Sequence, residues 1–309
     1  MRKYNPLTIQ AVRDYLVLHT ASMMIAITCA GTAFAYFRRY TFKADLFVAM
    51  ICASFFSLLG TNAFNSYSEA CEYEQGNSKV QKYILSNPQS VPSHHINPKI
   101  VLVSGLICYL FVVVAGIYLI LHSSLILLWI GLFGIIVGFT YTNGPFPLIK
   151  YPITELLSGI CVGGLIFFVS FYVQSAVIDI ETMITSILFV AAVSLVNANN
   201  HLCDAEKDIL TDRGTVAIVF GKSVAIGQIL VLFVAVYLVW LYLGFVGILG
   251  VYALFAIFPF FCMMKYLLLL RSLGYPSHRH KSSLEKWIVL HVFANVASLI
   301  AGLFFKWYM

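Results

Sequence analysis

Charge is scarce in this chain. Asp, Glu, Lys and Arg make up 10% of its 309 residues, where a soluble domain carries roughly 25%. So few charges cannot cover a water-facing surface, which excludes an ordinary soluble globule. Paired cysteines are missing as well. The seven cysteines lie mostly inside apolar runs and none forms a CxxC pair. Neither a disulfide framework nor a zinc site is therefore suggested, and they read as small buried hydrophobes. No GxxxxGK[ST] stretch occurs, which removes the Gly-rich phosphate loop. The chain has no low-complexity segment and no separate soluble domain. Its apolar runs do not alternate in polarity, as the strands of a membrane barrel must.

What is present is apolar: 61% of residues are hydrophobic and the mean hydropathy is +0.89. A helix needs about 20 apolar residues to cross the hydrocarbon core, and there it must satisfy its own backbone hydrogen bonds. Nine stretches answer to this: Tyr15–Phe37, Leu46–Phe64, Ile100–Leu121, Leu125–Thr142, Glu155–Val173, Met183–Val196, Val224–Gly244, Val246–Met264 and Trp287–Phe305. The sixth is short before it meets polar residues. The first follows Arg2, Lys3 and Arg13, but it exceeds the about 7–15 apolar residues of a signal peptide and reads as a helix. The expected fold is an all-α integral membrane bundle. Nine transmembrane helices surround a central cavity opening to the cytoplasmic side, and residues 1–309 form a single domain.

Nine crossings put the termini on opposite sides. Of the 19 Lys and Arg residues, only Arg38, Arg39, Lys43 and Lys306 fall on the side away from the N-terminus. The positive-inside rule then places the N-terminus in the cytoplasm. The net charge of +6 is explained by this bias and asks for no nucleic-acid partner. Two long connections, from about Ser66 to Lys99 and from about His201 to Ser223, lie on the same cytoplasmic side. A third, near Arg271–Lys286, is basic, and its His278–Lys281 cluster is expected to touch lipid head groups.

The two long connections begin alike. One reads Asn62-Ala-Phe-Asn65-Ser-Tyr-Ser-Glu69 and the other Asn197-Ala-Asn-Asn200-His-Leu-Cys-Asp204. Both fit N-x-x-N-x-x-x-[DE], and the constant offset suggests two related halves, helices 1–4 and 5–8, followed by helix 9. Residues spaced i, i+3, i+4 and i+7 share a helix face. Asn62, Asn65 and Glu69 form one stripe, which Glu72 extends; Asn197, Asn200, Asp204 and Asp208 form another. Polar side chains near membrane depth are costly and face a bundle interior or a water-filled cavity, so the stripes are expected to converge. Clustered carboxylates and amide oxygens suit Mg²⁺, which keeps waters and bridges one or two carboxylates to a phosphate. Lys207 and Arg213 stand nearby to take the remaining phosphate charge. Two other readings of such stripes stay open, helix caps in solvated loops and an ion pathway.

These residues resemble the UbiA superfamily of intramembrane prenyltransferases, which carries two Asp-rich motifs after the second and sixth of nine helices. The stretch Asn199-Asn-His-Leu-Cys-Asp-Ala-Glu-Lys-Asp208 is similar to the second motif. Its continuation through Arg213-Gly-Thr215 to Gly221 fits the superfamily's D-R-x-x-G-K-x-T-L-x-x-x-L-G pattern. Tyr141-Thr-Asn-Gly-Pro-Phe-Pro147, with Tyr151 and Glu155, is similar to its Y-T-x-G-P-x-P segment, and Val91–Asn97 resembles its loop after the first motif. Within the superfamily the pattern is most similar to 1,4-dihydroxy-2-naphthoate polyprenyltransferases of the menaquinone pathway. The first motif departs from it: Asn65-Ser-Tyr-Ser-Glu69 stands where N-D-x-x-D is usual, and Glu72 and Glu74 flank Tyr73, where the next acid would fall. Val17-Leu18 and Gln89 replace an Arg-Pro pair and an Arg.

The resemblance implies Mg²⁺-dependent transfer of a prenyl group from a polyprenyl diphosphate to a small aromatic acceptor, within membrane lipid. Asn65, Glu69, Asp204 and Asp208 would serve the metal site, with Glu69, Glu72, Asp204 and Asp208 as its carboxylates. Arg213 and Lys207 would add charge, and Asn62 and Asn200 would contact substrate. Tyr141 and Tyr67 are candidates to face an allyl cation, or ordinary packing residues. His19, His201, His94 and His95 are candidates for acceptor base or anchor. Glu155 is a candidate acceptor contact, or a residue that satisfies a helix dipole. A terpene cyclase on the same scaffold, a transporter and an inactive scaffold remain as alternatives.

Overall fold

The computed structural model describes residues 16–74, 81 and 97–309, with side chains described throughout except at His19 and residues 72–74. The expectations placed on Glu72, His19, His94 and His95 therefore fall outside the described side chains. Among the described residues there is helix and turn and no strand.

Among the described residues each of the nine apolar runs holds a helix. We number them α1 (Leu18–Arg39), α2 (Ala44–Glu74), α3 (Pro98–His122), α4 (Ile126–Thr140), α5 (Thr154–Ser175), α6 (Ile180–Leu210), α7 (Lys222–Phe245), α8 (Gly250–Leu273) and α9 (Lys281–Tyr308). Eight are long and apolar enough to cross a membrane, which makes this an integral multi-pass protein. The exception is α4. Its 15 residues rise about 22 Å at 1.5 Å each, short of the roughly 30 Å hydrocarbon thickness. The sequence expectation of a full fourth span is corrected to that extent. Tyr141 leaves the helix, and the Thr-Asn-Gly-Pro segment turns before the 3₁₀ turn Leu148–Lys150.

A second difference concerns where α2 and α6 stop. The polar signatures were expected to open loops from Ser66 and His201. Instead both helices run on through them, and each is 31 residues long. At 1.5 Å per residue that is about 46 Å, so the last turns of each helix reach past the hydrocarbon. Polar residues there have water or a wet cavity to face, and the helix need not break.

Local chemistry sets several of the remaining ends. The Asn97 side chain accepts from the Lys99 N–H at 3.0 Å, with Pro98 in the first turn of α3. Asp179 accepts from the Thr182 N–H at 2.6 Å to open α6. On the end of the bundle where α1 stops and α6 begins, Arg39 pairs with Asp179 at 2.9 Å and Arg38 pairs with Glu181. Midway along α5 the helix widens into a π turn over Gly159–Gly164. There Gly163 lies directly against the Phe189 carbonyl of α6; a Cβ would collide with backbone, and this contact seats α5 on α6.

The larger core joins α1, α5, α6, α7, α8 and α9, with Phe34, Phe167, Phe171 and Phe189 at its centre. Phe167 stacks on Phe189 at 4.8 Å and meets Phe34 edge-on at 5.6 Å. A smaller core of Leu46, Met50, Leu119, Leu127, Val169 and Val173 holds α2, α3, α4 and α5. Lipid offers no hydrophobic drive between helices, so buried polar contacts add specificity. Thr28 meets Ser54 at 2.9 Å between α1 and α2, and Trp240 donates to Asn295 at 2.8 Å between α7 and α9.

Candidate functional site

Between the two cores lies a cavity of about 1090 Å³. One end is apolar, lined by α2, α3, α4 and α5. Val113, Ile117 and Leu132 belong to this wall and stay 42%, 53% and 43% exposed, so the apolar arm is not filled by side chains. The other end is polar. Asn62, Asn65 and Glu69 from α2 meet Asn197, Asn200, His201, Asp204 and Lys207 from α6. The stripes expected from spacing do converge, with Arg213 and Tyr141 on the same wall.

The charges at this end are paired. Glu69 Oε1 accepts from Arg213 at 2.6 Å and from Lys207 at 3.0 Å, and all three side chains are about nine-tenths buried. Arg213 also donates to the Asn65 side-chain oxygen at 3.3 Å. Asp204 accepts from His278 Nδ1 at 2.7 Å and from Lys281 Nζ at 2.6 Å. Asp208 is different. It is fully buried, neither carboxylate oxygen has a hydrogen-bond partner among the described residues, and Arg213 is 3.9 Å away.

Arg213 reaches the cavity because its loop is pinned to the segment that follows Tyr141. The Gly214 N–H donates to the Ile149 carbonyl at 3.0 Å, the Ile149 N–H donates to the Tyr141 carbonyl at 2.9 Å, and Lys150 pairs with Asp212 at 2.7 Å. Gly214 sits directly on the Lys150 carbonyl, leaving no room for a Cβ. Gly214→Ala is expected to push this loop and the Arg213 guanidinium away. A shift of about 1 Å at a charged contact can cost ~100-fold in rate, so kcat should fall steeply while the folded yield changes little. Steady-state kinetics beside a thermal melt checks this.

Several expected residues take other places. Glu155 does not line the cavity. It is buried, and its Oε1 accepts from His201 Nδ1 at 3.0 Å and from the Val216 N–H at 3.1 Å. It ties α5 to α6 and to the short helix Val216–Val219, because a buried carboxylate must find donors. Tyr67 is not among the described residues of the cavity wall and packs beside Ala63 and Val101. Asn62 lines the cavity, but its amide donates to the Leu16 carbonyl at 2.8 Å. Asp208 stands just behind the lining, one turn beyond Asp204. The expectation that His278–Lys281 touch lipid head groups is corrected: His278, Arg279 and Lys281 line the cavity. Their signal was available, since this basic connection falls on the same side of the bundle as both acidic stripes. Ser158 and Cys161, at the π turn of α5, line the cavity too and carried no sequence signal.

The fit of this site to Mg²⁺ rests on Asp208. A buried carboxylate without donors is costly and needs explanation; a cation shared with its neighbours supplies one. Asn65, Glu69, Asn200 and Asp204 present hard oxygens along the same cavity. Among the described residues no three His, Cys, Asp or Glu side chains converge as they stand, because Glu69 and Asp204 are turned toward their cations. Mg²⁺ takes one or two carboxylates together with phosphate oxygens and water, so the donor set fits.

The comparisons agree with this architecture. A 1,4-dihydroxy-2-naphthoate octaprenyltransferase of Bacillus subtilis (strain 168) is 31% identical over 222 residues, covering 71% of this chain and 69% of that one. A UbiA homolog from Archaeoglobus fulgidus, whose structure is bound to GPP and Mg²⁺, superposes with a TM-score of 0.66 at 12% identity over 97% of this chain and 100% of that one. A second UbiA homolog, from Aeropyrum pernix K1, gives a TM-score of 0.61 at 15% identity over 89% and 97% of the two chains. The model of the UbiA prenyltransferase family matches residues 23–289. With its two polar stripes meeting over one cavity and these matches along its length, this chain belongs to the UbiA prenyltransferase family.

Proposed function

We propose that this prenyltransferase moves a prenyl group from a polyprenyl diphosphate to an aromatic, quinone-precursor-like acceptor, with Mg²⁺ at the diphosphate. The observation that carries this is the union of carboxylates, amides and cations at one end of a cavity whose other end is apolar. A diphosphate needs the first and an isoprenoid tail needs the second. The aromatic acceptor is supported by the naphthoate prenyltransferase relative.

Glu69, Asp204 and Asp208 would hold the metal, with Asn65 and Asn200 as neutral oxygen donors. Bound there, Mg²⁺ supplies charge neutralisation to the leaving diphosphate as the allylic C–O bond breaks. Lys207 and Arg213 are placed to take phosphate oxygens, and Arg213 presents a planar fork suited to them. The Tyr141 ring on the cavity wall offers its face to positive charge on the allyl group. The apolar arm seats the tail and keeps water from that carbon. The site end of the bundle, with the N-terminus, lies on the cytoplasmic side in this reading, because the Lys and Arg excess marks that side.

Diphosphate release by the purified protein tests the proposal, with geranyl, farnesyl and longer prenyl diphosphates, with and without dihydroxynaphthoate. Release should require both acceptor and Mg²⁺, should stop on chelation with EDTA and return on adding Mg²⁺, and should be lost in Asp204→Ala. Release without acceptor, with a cyclic product, would move the protein to the cyclase reading. No release from any donor would sink the metal–diphosphate site.

A further inference from the structure

Among the described residues the acids and bases at the polar end of the cavity are equal in number, and the segment joining α8 to α9 makes them so. Glu69, Asp204 and Glu285 on the wall, with Asp208 behind it, face Lys207, Arg213, Arg279 and Lys281. Two of these four cations, Arg279 and Lys281, come from the α8–α9 connection and the first residue of α9 that ends it. That connection is locally built. Gly274 ends α8 at a positive φ of 66°, and Ser277 opens the 3₁₀ turn His278–His280 by donating its N–H to His280 Nδ1 at 3.2 Å. The turn aims His278 and Lys281 at one carboxylate, Asp204, at 2.7 and 2.6 Å.

A balanced pocket has no net pull on an anion. The balance changes when a divalent cation takes the Asp204 oxygens. His278 and Lys281 then lose their acceptor inside a cavity where an unpaired charge is costly, and a diphosphate is the group that restores it. We propose that the α8–α9 connection is a diphosphate-binding element, in which His278 and Lys281 guard Asp204 until metal displaces them and then pass to the donor's phosphate oxygens. This rests on the metal–diphosphate reading given above. It makes metal and donor binding reciprocal: metal alone must displace Lys281, and donor alone finds that cation already paired.

The test uses the whole protein in phosphatidylcholine nanodiscs, whose lipid carries no net charge. Mn²⁺ binding without donor is read from loss of the free-ion paramagnetic resonance signal. Donor binding with Mg²⁺ is read by calorimetry with geranyl S-thiolodiphosphate, an unreactive analogue. Lys281→Met is expected to tighten Mn²⁺ and to weaken the analogue, each by about tenfold, the scale of one charge-assisted hydrogen bond. Lys281→Arg should keep both near wild type. His278→Gln should move both in the same two directions, and it carries the test if Lys281→Met does not fold. If the wild type binds both probes and the variants change neither, or shift both the same way, the element is structural or lipid-facing and the inference is overturned. If the wild type binds neither probe, the metal–diphosphate reading fails first and takes the inference with it.

Discussion

Asp208→Asn is expected to abolish turnover while leaving the protein as stable as the wild type, or more so. The two effects part because of how this carboxylate is buried. It has no exposed surface, and among the described residues neither oxygen has a hydrogen-bond partner and the nearest cation, Arg213, is 3.9 Å away. In the ligand-free protein it is a buried carboxylate whose one described ion pair, with Arg213, is long, and a neutral amide of the same shape relieves the cost of that burial. On the proposed reading it is a preorganised negative charge for the metal. Removing one such electrostatic stabiliser costs ~10²–10³ in kcat. Detergent-phase thermal melts beside diphosphate-release assays decide the point. Parallel losses of stability and activity would make Asp208 a packing residue.

Glu69→Gln should lose both. Glu69 is the sole carboxylate within bonding distance of Lys207, at 3.0 Å, and the nearer of two for Arg213, at 2.6 Å, among the described contacts. Neutralising it leaves two cations facing each other in a pocket about nine-tenths closed to solvent. Breaking a buried pair by removing one partner costs about 3–5 kcal/mol, several degrees or more in the melting midpoint of a chain this size. Activity should fall ~10²–10³-fold as well. Glu69→Asp separates charge from reach: it keeps the carboxylate one methylene further back and should recover much of the stability but little of the rate. If Glu69→Gln melts with the wild type, Lys207 and Arg213 have other partners that suffice, and Glu69 is not the hub of this cluster. The two variants together distinguish a carboxylate that strains the fold from one that supports it, although both sit on matching polar stripes.

Much of this protein was legible in one dimension. The apolar runs became helices, eight of them among the described residues long enough to cross a membrane, because lipid leaves the backbone no other way to satisfy its hydrogen bonds. The spacing in Asn62-x-x-Asn65-x-x-x-Glu69 and Asn197-x-x-Asn200-x-x-x-Asp204 put each set on one helix face, and both faces do look into one cavity. These are properties of hydropathy and of the 3.6-residue turn, and neither needs a partner to be read. The stops of α2 and α6 were less legible. A fall in hydropathy resembles a loop, and the helices continued through it because their polar turns lie beyond the hydrocarbon.

Pairing was decided only by the tertiary structure. Glu155 and Asp204 are both acids at helix ends, yet one ties helices together through His201 and the Val216 N–H while the other faces the cavity. Tyr141 and Tyr67 both flank a motif, yet only Tyr141 reaches the wall. His278 and Lys281 lie 74 and 77 residues from the Asp204 they hold, a distance over which periodicity carries no information. The sequence by itself determined the solvent this chain folds in, the helices, and which of their faces are polar, because those follow from local composition and the pitch of the helix. Which cation meets which carboxylate, and how closely, depended on where α9 and the Arg213 loop dock, and that is set by packing between segments far apart in the chain.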